Sequence, residues 1–102
     1  MLAAVLLAGC GRAEQPEAIW LDTGVGPGKV VYPRGLTYDP KSDTFYVVDR
    51  VAEIQRLDHD GKSLAEWSMP DNVIGKPVGL SVGPDGNLYV PDTHYQRVLV
   101  FR

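Results

Sequence analysis

From Ala18 onward the hydrophobic residues come in short runs, each closed by Pro, Gly, Asp or Asn. Residues 36–38, 45–48, 54–57 and 63–67 read as strands, and DPKSD, DRVAE and DHDG between them read as turns or loops. β-Branched and aromatic side chains suit a pleated surface, whereas Pro presets φ, Gly accepts positive φ and Asp bonds its own turn. Asp60-Gly61 and Asp85-Gly86-Asn87 are the sharpest hairpin signals. In FYVV and LYV neighbouring positions are all apolar, where a strand wet on one face would alternate. Such strands belong to a sheet covered on both faces. No window of eleven residues after Gly11 carries the stripe of an amphipathic helix.

The pattern is stated twice. Pro33/Pro77, Gly35/Gly79, Leu36/Leu80 and Pro40/Pro84 lie 44 residues apart, Tyr46/Tyr89, Val47/Val90 and Asp49/Asp92 lie 43 apart, and Ile54/Val98 and Leu57/Phe101 return to 44. One residue is gained in the first turn and lost in the next loop, the kind of change that loops tolerate. Four short antiparallel strands in about 40–45 residues describe one blade of a β-propeller. The expected fold is therefore all-β, built of propeller blades that are four-stranded antiparallel sheets, with about two blades of an expected six. Residues 33–76 form one blade and 77–102 a second, incomplete one; 18–32 read as the outer strand of a preceding blade and its Gly-rich crossover. A blade covered on both faces cannot bury itself, and about three stacked repeats are needed for independent stability. The missing blades must come from the same gene, which makes the chain a fragment, or from other copies in a homo-oligomer. The open edge after Arg102 favours the fragment. Three copies of two blades would make the six of a closed ring, by about the count that symmetry requires.

The runs YPRGLTYDPKSDTFYVVDR and KPVGLSVGPDGNLYVPDTHYQRVLVF resemble NHL repeats, whose blades read P-x-G-[LIV], then D-x-x-G-N-[LIVF]-[YW]-V-x-D, then R-[IV]-x-[VK]-[FL]. The second copy carries the pattern at Pro77, Gly79, Leu80, Asp85, Gly86, Asn87, Leu88, Tyr89, Val90, Asp92, Thr93, Arg97, Val98, Val100 and Phe101. The first departs from it at Ser42-Asp43-Thr44 and at Glu53, which stands in the place of the arginine. The resemblance covers residues 18–102 and implies a six-bladed propeller whose ligands bind where blade loops gather around the central channel. It implies little about activity.

Residues 2–11, LAAVLLAGCG, form an apolar run too short to span a bilayer and placed like a secretory signal, so residues 1–9 read as a signal peptide. Leu7-Ala8-Gly9-Cys10 resembles a bacterial lipobox, which implies cleavage before Cys10 and acylation of that cysteine. Residues 10–17 turn polar, as a tether would. No basic residue precedes Leu2, a departure from an ordinary signal. The expected location is the bacterial cell envelope, anchored in the membrane by lipid; Gly11 after the cysteine favours the outer membrane or periplasmic face. Cys10 is the single cysteine, so an intrachain disulfide is excluded.

A net charge of −3 with lysines and arginines scattered singly gives no stripe to grip phosphates, and nucleic acid is not an expected partner. Candidate chemistry lies in the channel loops: Asp49 and Arg50 in one copy, Asp92 and His94 in the other, and Arg34 at the entry to an inner strand. His94 aided by Asp92 would supply a metal ligand or a base. The structural reading weighs more, with Asp49 and Asp92 accepting hydrogen bonds from their own turns and Arg97 paired to Asp92. Arg34 would face the channel and hold an anion, or else be solvated. His59 reads as solvated, and Trp20 and Trp67 as packing residues. GVGPGK lacks the helix and the Ser/Thr of a phosphate loop, since Val30 follows Lys29.

Two functions follow. The first is a non-catalytic propeller that binds a protein, peptide or glycan, with no cofactor of its own. The second rests on GLTYDP and VVDRVAEIQRLD, which resemble phrases of the peptidyl-hydroxyglycine amidating lyases and imply a divalent metal held by histidines from several blades of the full-length propeller. Where that resemblance wants histidine, the chain has Arg34, Val78, Arg50 and Thr93, with His94 nearby, so the first function leads.

Overall fold

The computed structural model describes residues 15–102; the expected signal peptide and Cys10 lie outside the described residues. The fold is all-β, with no α-helix among the described residues. The strands are β1 (Asp22–Thr23), β2 (Lys29–Val30), β3 (Pro33–Asp39), β4 (Thr44–Asp49), β5 (Glu53–Leu57), β6 (Ser63–Ser68), β7 (Ser81–Val82), β8 (Leu88–Asp92) and β9 (Arg97–Phe101). A 3-10 turn, Thr93–Tyr95, separates β8 from β9.

β3-β4-β5-β6 form a four-stranded antiparallel sheet and β7-β8-β9 a three-stranded one, each in sequence order. These are blade-type propeller sheets. β4, β5 and β6 are one or two residues longer than their apolar runs because the flanking Thr44, Asp49, Glu53 and Ser68 continue the ladders, and β3 reaches from Pro33 to Asp39 where the apolar run covers 36–38. The 18–32 segment behaves differently. Residues 18–21 join no ladder, and β1 pairs with β2 in parallel, Asp22 beside Lys29 and Thr23 beside Val30. The loop between them turns through Gly24, Gly26 and Gly28, all at positive φ, which a side chain would resist.

The two copies of the first hairpin turn reach the same end by different chemistry. In the longer copy the Asp39 carboxylate accepts from Lys41 N–H at 3.0 Å and Ser42 Oγ–H at 2.7 Å, and Asp43 takes the left-handed conformation at φ 53°. In the shorter copy Asp85 accepts from Asn87 N–H at 3.0 Å and Tyr89 O–H at 2.7 Å, and Gly86 is left-handed at φ 82°. The extra residue of the first copy is thus absorbed before Thr44, and the register of β4 is preserved. The β5–β6 turn closes on Asp58, whose Oδ1 accepts from Asp60 and Lys62 N–H, both at 2.9 Å.

The period-two alternation of β4 and β5 decides what each face meets. Val48 and Ile54 point at the second sheet, where they form a core with Ala52, Met69, Leu88 and Val90, rimmed by Tyr46, Trp67, Leu80, Val82, Leu99 and Phe101. Each fully buried aliphatic side chain contributes about 1.5–3 kcal/mol of transfer free energy. At one point the sheets touch backbone to backbone: a Cβ on Gly35 would lie 2.9 Å from the Gly79 Cα. The two tryptophans, at matching places in the sequence, both serve packing. Trp67 of the first sheet packs tilted on Phe101 of the second at 5.5 Å, and Trp20, upstream, packs edge-to-face on Phe45 of the first sheet at 5.3 Å.

Candidate functional site

The loops after β4 and β8 and the entries to β3 and β7 lie at one end of the sheets, because Pro33 pairs with Asp49 and Asp92 with Arg97 across the same rim. Asp49 closes β4 and is 2 % exposed. Its Oδ1 accepts from Val51 and Glu53 N–H at 3.1 Å each, and its Oδ2 accepts from Val31 N–H at 3.0 Å. One carboxylate therefore ties the strand end, the following loop and the incoming crossover together. Three accepted bonds and near-complete burial hold it in a structural role.

Asp92 occupies the same place in the second sheet with a different partner. Its Oδ2 accepts from Arg97 Nε–H at 3.0 Å, and Oδ1 is buried without a hydrogen bond in the structure. Arg97 also donates through Nη2 to Asp71 Oδ2 at 2.6 Å, and lies over the Tyr95 ring at 5.2 Å. Asp71 foremost, then Asp92, hold the guanidinium above its already high ordinary pKa. A permanent cation that spans two carboxylates and an aromatic face is a clamp on the loop leading into the second sheet.

His94 is exposed and lies against the Gly75 backbone, so close that a Cβ on Gly75 would overlap the imidazole. Among the described residues no three His, Cys, Asp or Glu side chains converge to hold a metal ion. Arg50 is exposed, its guanidinium 4.4 Å above the Tyr32 ring, while its backbone N–H donates to the Val31 carbonyl at 2.9 Å. Arg34 is exposed at the start of β3, beside a recess of about 290 Å³ that it lines with Pro33, Gly35, Leu36 and Val47. The structure thus brings Asp92 to Arg97 and sets Asp49 into its loop, but leaves Arg34, Arg50 and His94 apart on the rim. His59, far from the rim, is exposed yet paired, Nδ1 to Asp43 Oδ2 at 3.0 Å.

Two residues that hold the crossovers name no partner in the sequence. Gln55 is buried in β5, accepts from Gly28 N–H at 3.0 Å and donates to the Lys29 carbonyl, which pins the Gly-rich crossover. Tyr95 Oη accepts from Val73 N–H at 3.1 Å and Ile74 N–H at 3.0 Å, which pins the second crossover. All four bonds join residues more than twenty positions apart, and a glutamine in a strand or a tyrosine in a loop names no such partner. A repeat-wide check for polar residues on buried strand faces would have flagged Gln55.

Paired antiparallel sheets that stack face to face and present loops at a common rim define β-propeller blades. No family model matches the chain. The chain is similar to the adipocyte plasma membrane-associated protein of Gallus gallus, with 24% identity over 84 residues. The match takes in 82% of the chain and 20% of that protein, so the chain spans about a fifth of the length of the curated relative it matches.

Proposed function

We propose that the chain is part of a non-catalytic, lipid-anchored NHL-type propeller of six blades that displays its rim loops to a protein, peptide or glycan in the bacterial envelope. The observation that carries the binding role is the use of the rim's ionisable groups. Asp49 is buried and held by three backbone N–H groups, and Arg97 is engaged with both Asp92 and Asp71. They stiffen loops, and a rigid loop loses little entropy on binding. The side chains left facing solvent, Arg34, Arg50 and His94, suit recognition of carboxylates and hydroxyls.

The lipobox-like Leu7-Ala8-Gly9-Cys10 supports anchorage. So does a relative whose name places it at a plasma membrane. Durable anchorage takes more than one acyl chain, each buried methylene contributing about 0.8 kcal/mol.

The test is metabolic labelling with a radiolabelled fatty acid in a bacterial host. The wild-type chain is expected to take up label and sediment with membranes, and Cys10→Ser to do neither. Label that persists in Cys10→Ser, or none in the wild type, removes the anchor. Stoichiometric zinc in the purified protein, lost in His94→Ala, would remove the non-catalytic reading.

A further inference from the structure

Tyr32, between β2 and β3, holds a conformation that an aromatic residue resists. Its φ is 49°, in the left-handed region where a Cβ crowds the following carbonyl oxygen. Its neighbours enforce this. Arg50 N–H donates to the Tyr32 carbonyl at 3.1 Å and to the Val31 carbonyl at 2.9 Å, while Asp49 Oδ2 accepts from Val31 N–H at 3.0 Å. Tyr32 is left 68 % exposed.

The Arg50 guanidinium lies 4.4 Å from the centre of the Tyr32 ring. Stacking steadies the guanidinium plane and uses none of its N–H donors. Among the described residues no carboxylate comes within ion-pair distance of Arg50, whereas Arg97 has two. A charged fork held in place without an anion is complementary to a carboxylate. The blade does not need the pair in order to fold. The second repeat has Lys76 and Thr93 at the matching places, 44 and 43 residues on, and forms the same hairpin ladder without a stacked arginine there. Tyr32 also lines a recess of about 350 Å³ with Thr23, Val30, Val31 and Pro33. The valines and the proline suit an aliphatic side chain. A sugar ring needs hydrogen-bonding groups around several hydroxyls, and this lining offers side-chain hydroxyls from Thr23 and Tyr32 alone.

We propose that Arg50, steadied on Tyr32, takes the carboxylate of a peptide whose neighbouring aliphatic side chain enters the recess. This ligand class rests on the rim-binding role proposed above. A peptide offers such a carboxylate at its C-terminus or on an acidic side chain, and both present the same pair of oxygens to the fork.

NMR titration of the full chain tests this with three acetylated peptides: Gly-Gly-Val-Val as the free acid, the same peptide as its C-terminal amide, and Gly-Glu-Val-Val as the amide. At about 10 mM at least one of the two acidic peptides is expected to move the Arg50 Nε–H signal and the Val31 and Tyr32 amide signals, and the tighter of them names the source of the carboxylate. The neutral amide should bind about tenfold more weakly or worse. Arg50→Ala should weaken the acidic peptide by about tenfold or more, and Arg50→Lys should not restore it, because an ammonium has no fork. Arg34→Ala removes the same charge elsewhere on the rim and should leave binding within about twofold. Unmoved Leu88 and Val90 amide signals in each variant report that the shared core is intact. Three results overturn the site: no movement with either acidic peptide, equal binding of the neutral amide, or equal loss from Arg50→Ala and Arg34→Ala. Signals that move at His94 instead would strike this site and keep a binding rim. Galacturonic acid, if it moved the Arg50 signal as far as the peptides do, would overturn the peptide class.

Discussion

At the residue scale the two strand-end aspartates show how one motif position serves two environments. Asp49 meets three backbone N–H groups, and Asp92 meets a guanidinium because the residue that opens the next strand is Arg97 where the first copy has Glu53. Asp49→Ala would strand three donors at a buried site, with an expected loss of about 3 kcal/mol in urea unfolding; a loss under about 1 kcal/mol would mean that water replaces the carboxylate. The ionisation of Glu66 works in the other direction. Burial first, then the neighbouring Glu53 carboxyl, raises its pKa above the ordinary 4.5, and its Oε2 has no hydrogen-bond partner. The folded chain therefore holds that proton more tightly than the unfolded chain does, so the ionised form is penalised at neutral pH and relieved as pH falls through the raised value. Glu66→Gln should raise the melting temperature near pH 7, with the gain shrinking toward pH 4.5; an equal gain at both would show that charge is not the cause. Asp39, Asp58 and Asp85 have the opposite sign. Their carboxyls are held below 3.8, chiefly by Ser42, the Lys62 N–H and Tyr89 respectively, and the stability they add is lost as pH falls past that value.

Elements were legible where apolar runs and turn residues agreed, and obscure where a distant side chain decided the path. All four strands of the first sheet follow from their β-branched and aromatic runs, and the indel between the copies is visible in the spacing and resolved by Asp43 and Gly86. The β1–β2 pairing was not legible, because its Gly-rich connection gives no hydrophobic pattern and its position depends on Gln55, 27 residues from Gly28. Of the candidate site, Asp49, Asp92 and the Arg97 pairing could be read from their place after a strand, whereas the latch by Tyr95 could not. Tyr95→Phe removes the acceptor for Val73 and Ile74 N–H and leaves the aromatic face for Arg97 intact. Hydrogen exchange at those two amides should speed up by about tenfold or more, the equivalent of one lost hydrogen bond, with β8 and β9 unchanged. Exchange that stays slow would assign the loop's order to the Asp71–Arg97 pair instead.

For the molecule as a whole, the central fact is that the main core lies between two sheets and belongs to neither. Val48, Ala52, Ile54 and Met69 come from the first repeat and Leu88 and Val90 from the second, so each sheet is the other's solvent shield. Repeat arrays draw their stability from intrinsic terms plus nearest-neighbour interfaces, and here one such interface dominates. Ile54, fully buried at its centre, tests this. Ile54→Ala should cost about 2–5 kcal/mol. More telling is where the loss is seen. Trp67 reports on the interface and Trp20 on the far side of the first sheet, next to Phe45. With each tryptophan kept alone through Trp→Phe replacement of the other, both fluorescence transitions should shift together in urea when Ile54 is truncated, because a blade without its neighbour has too little buried area to stay folded. A Trp20 transition that stays in place while that of Trp67 moves would show the first sheet to be self-sufficient, and the shared core would then be an embellishment on two independent units.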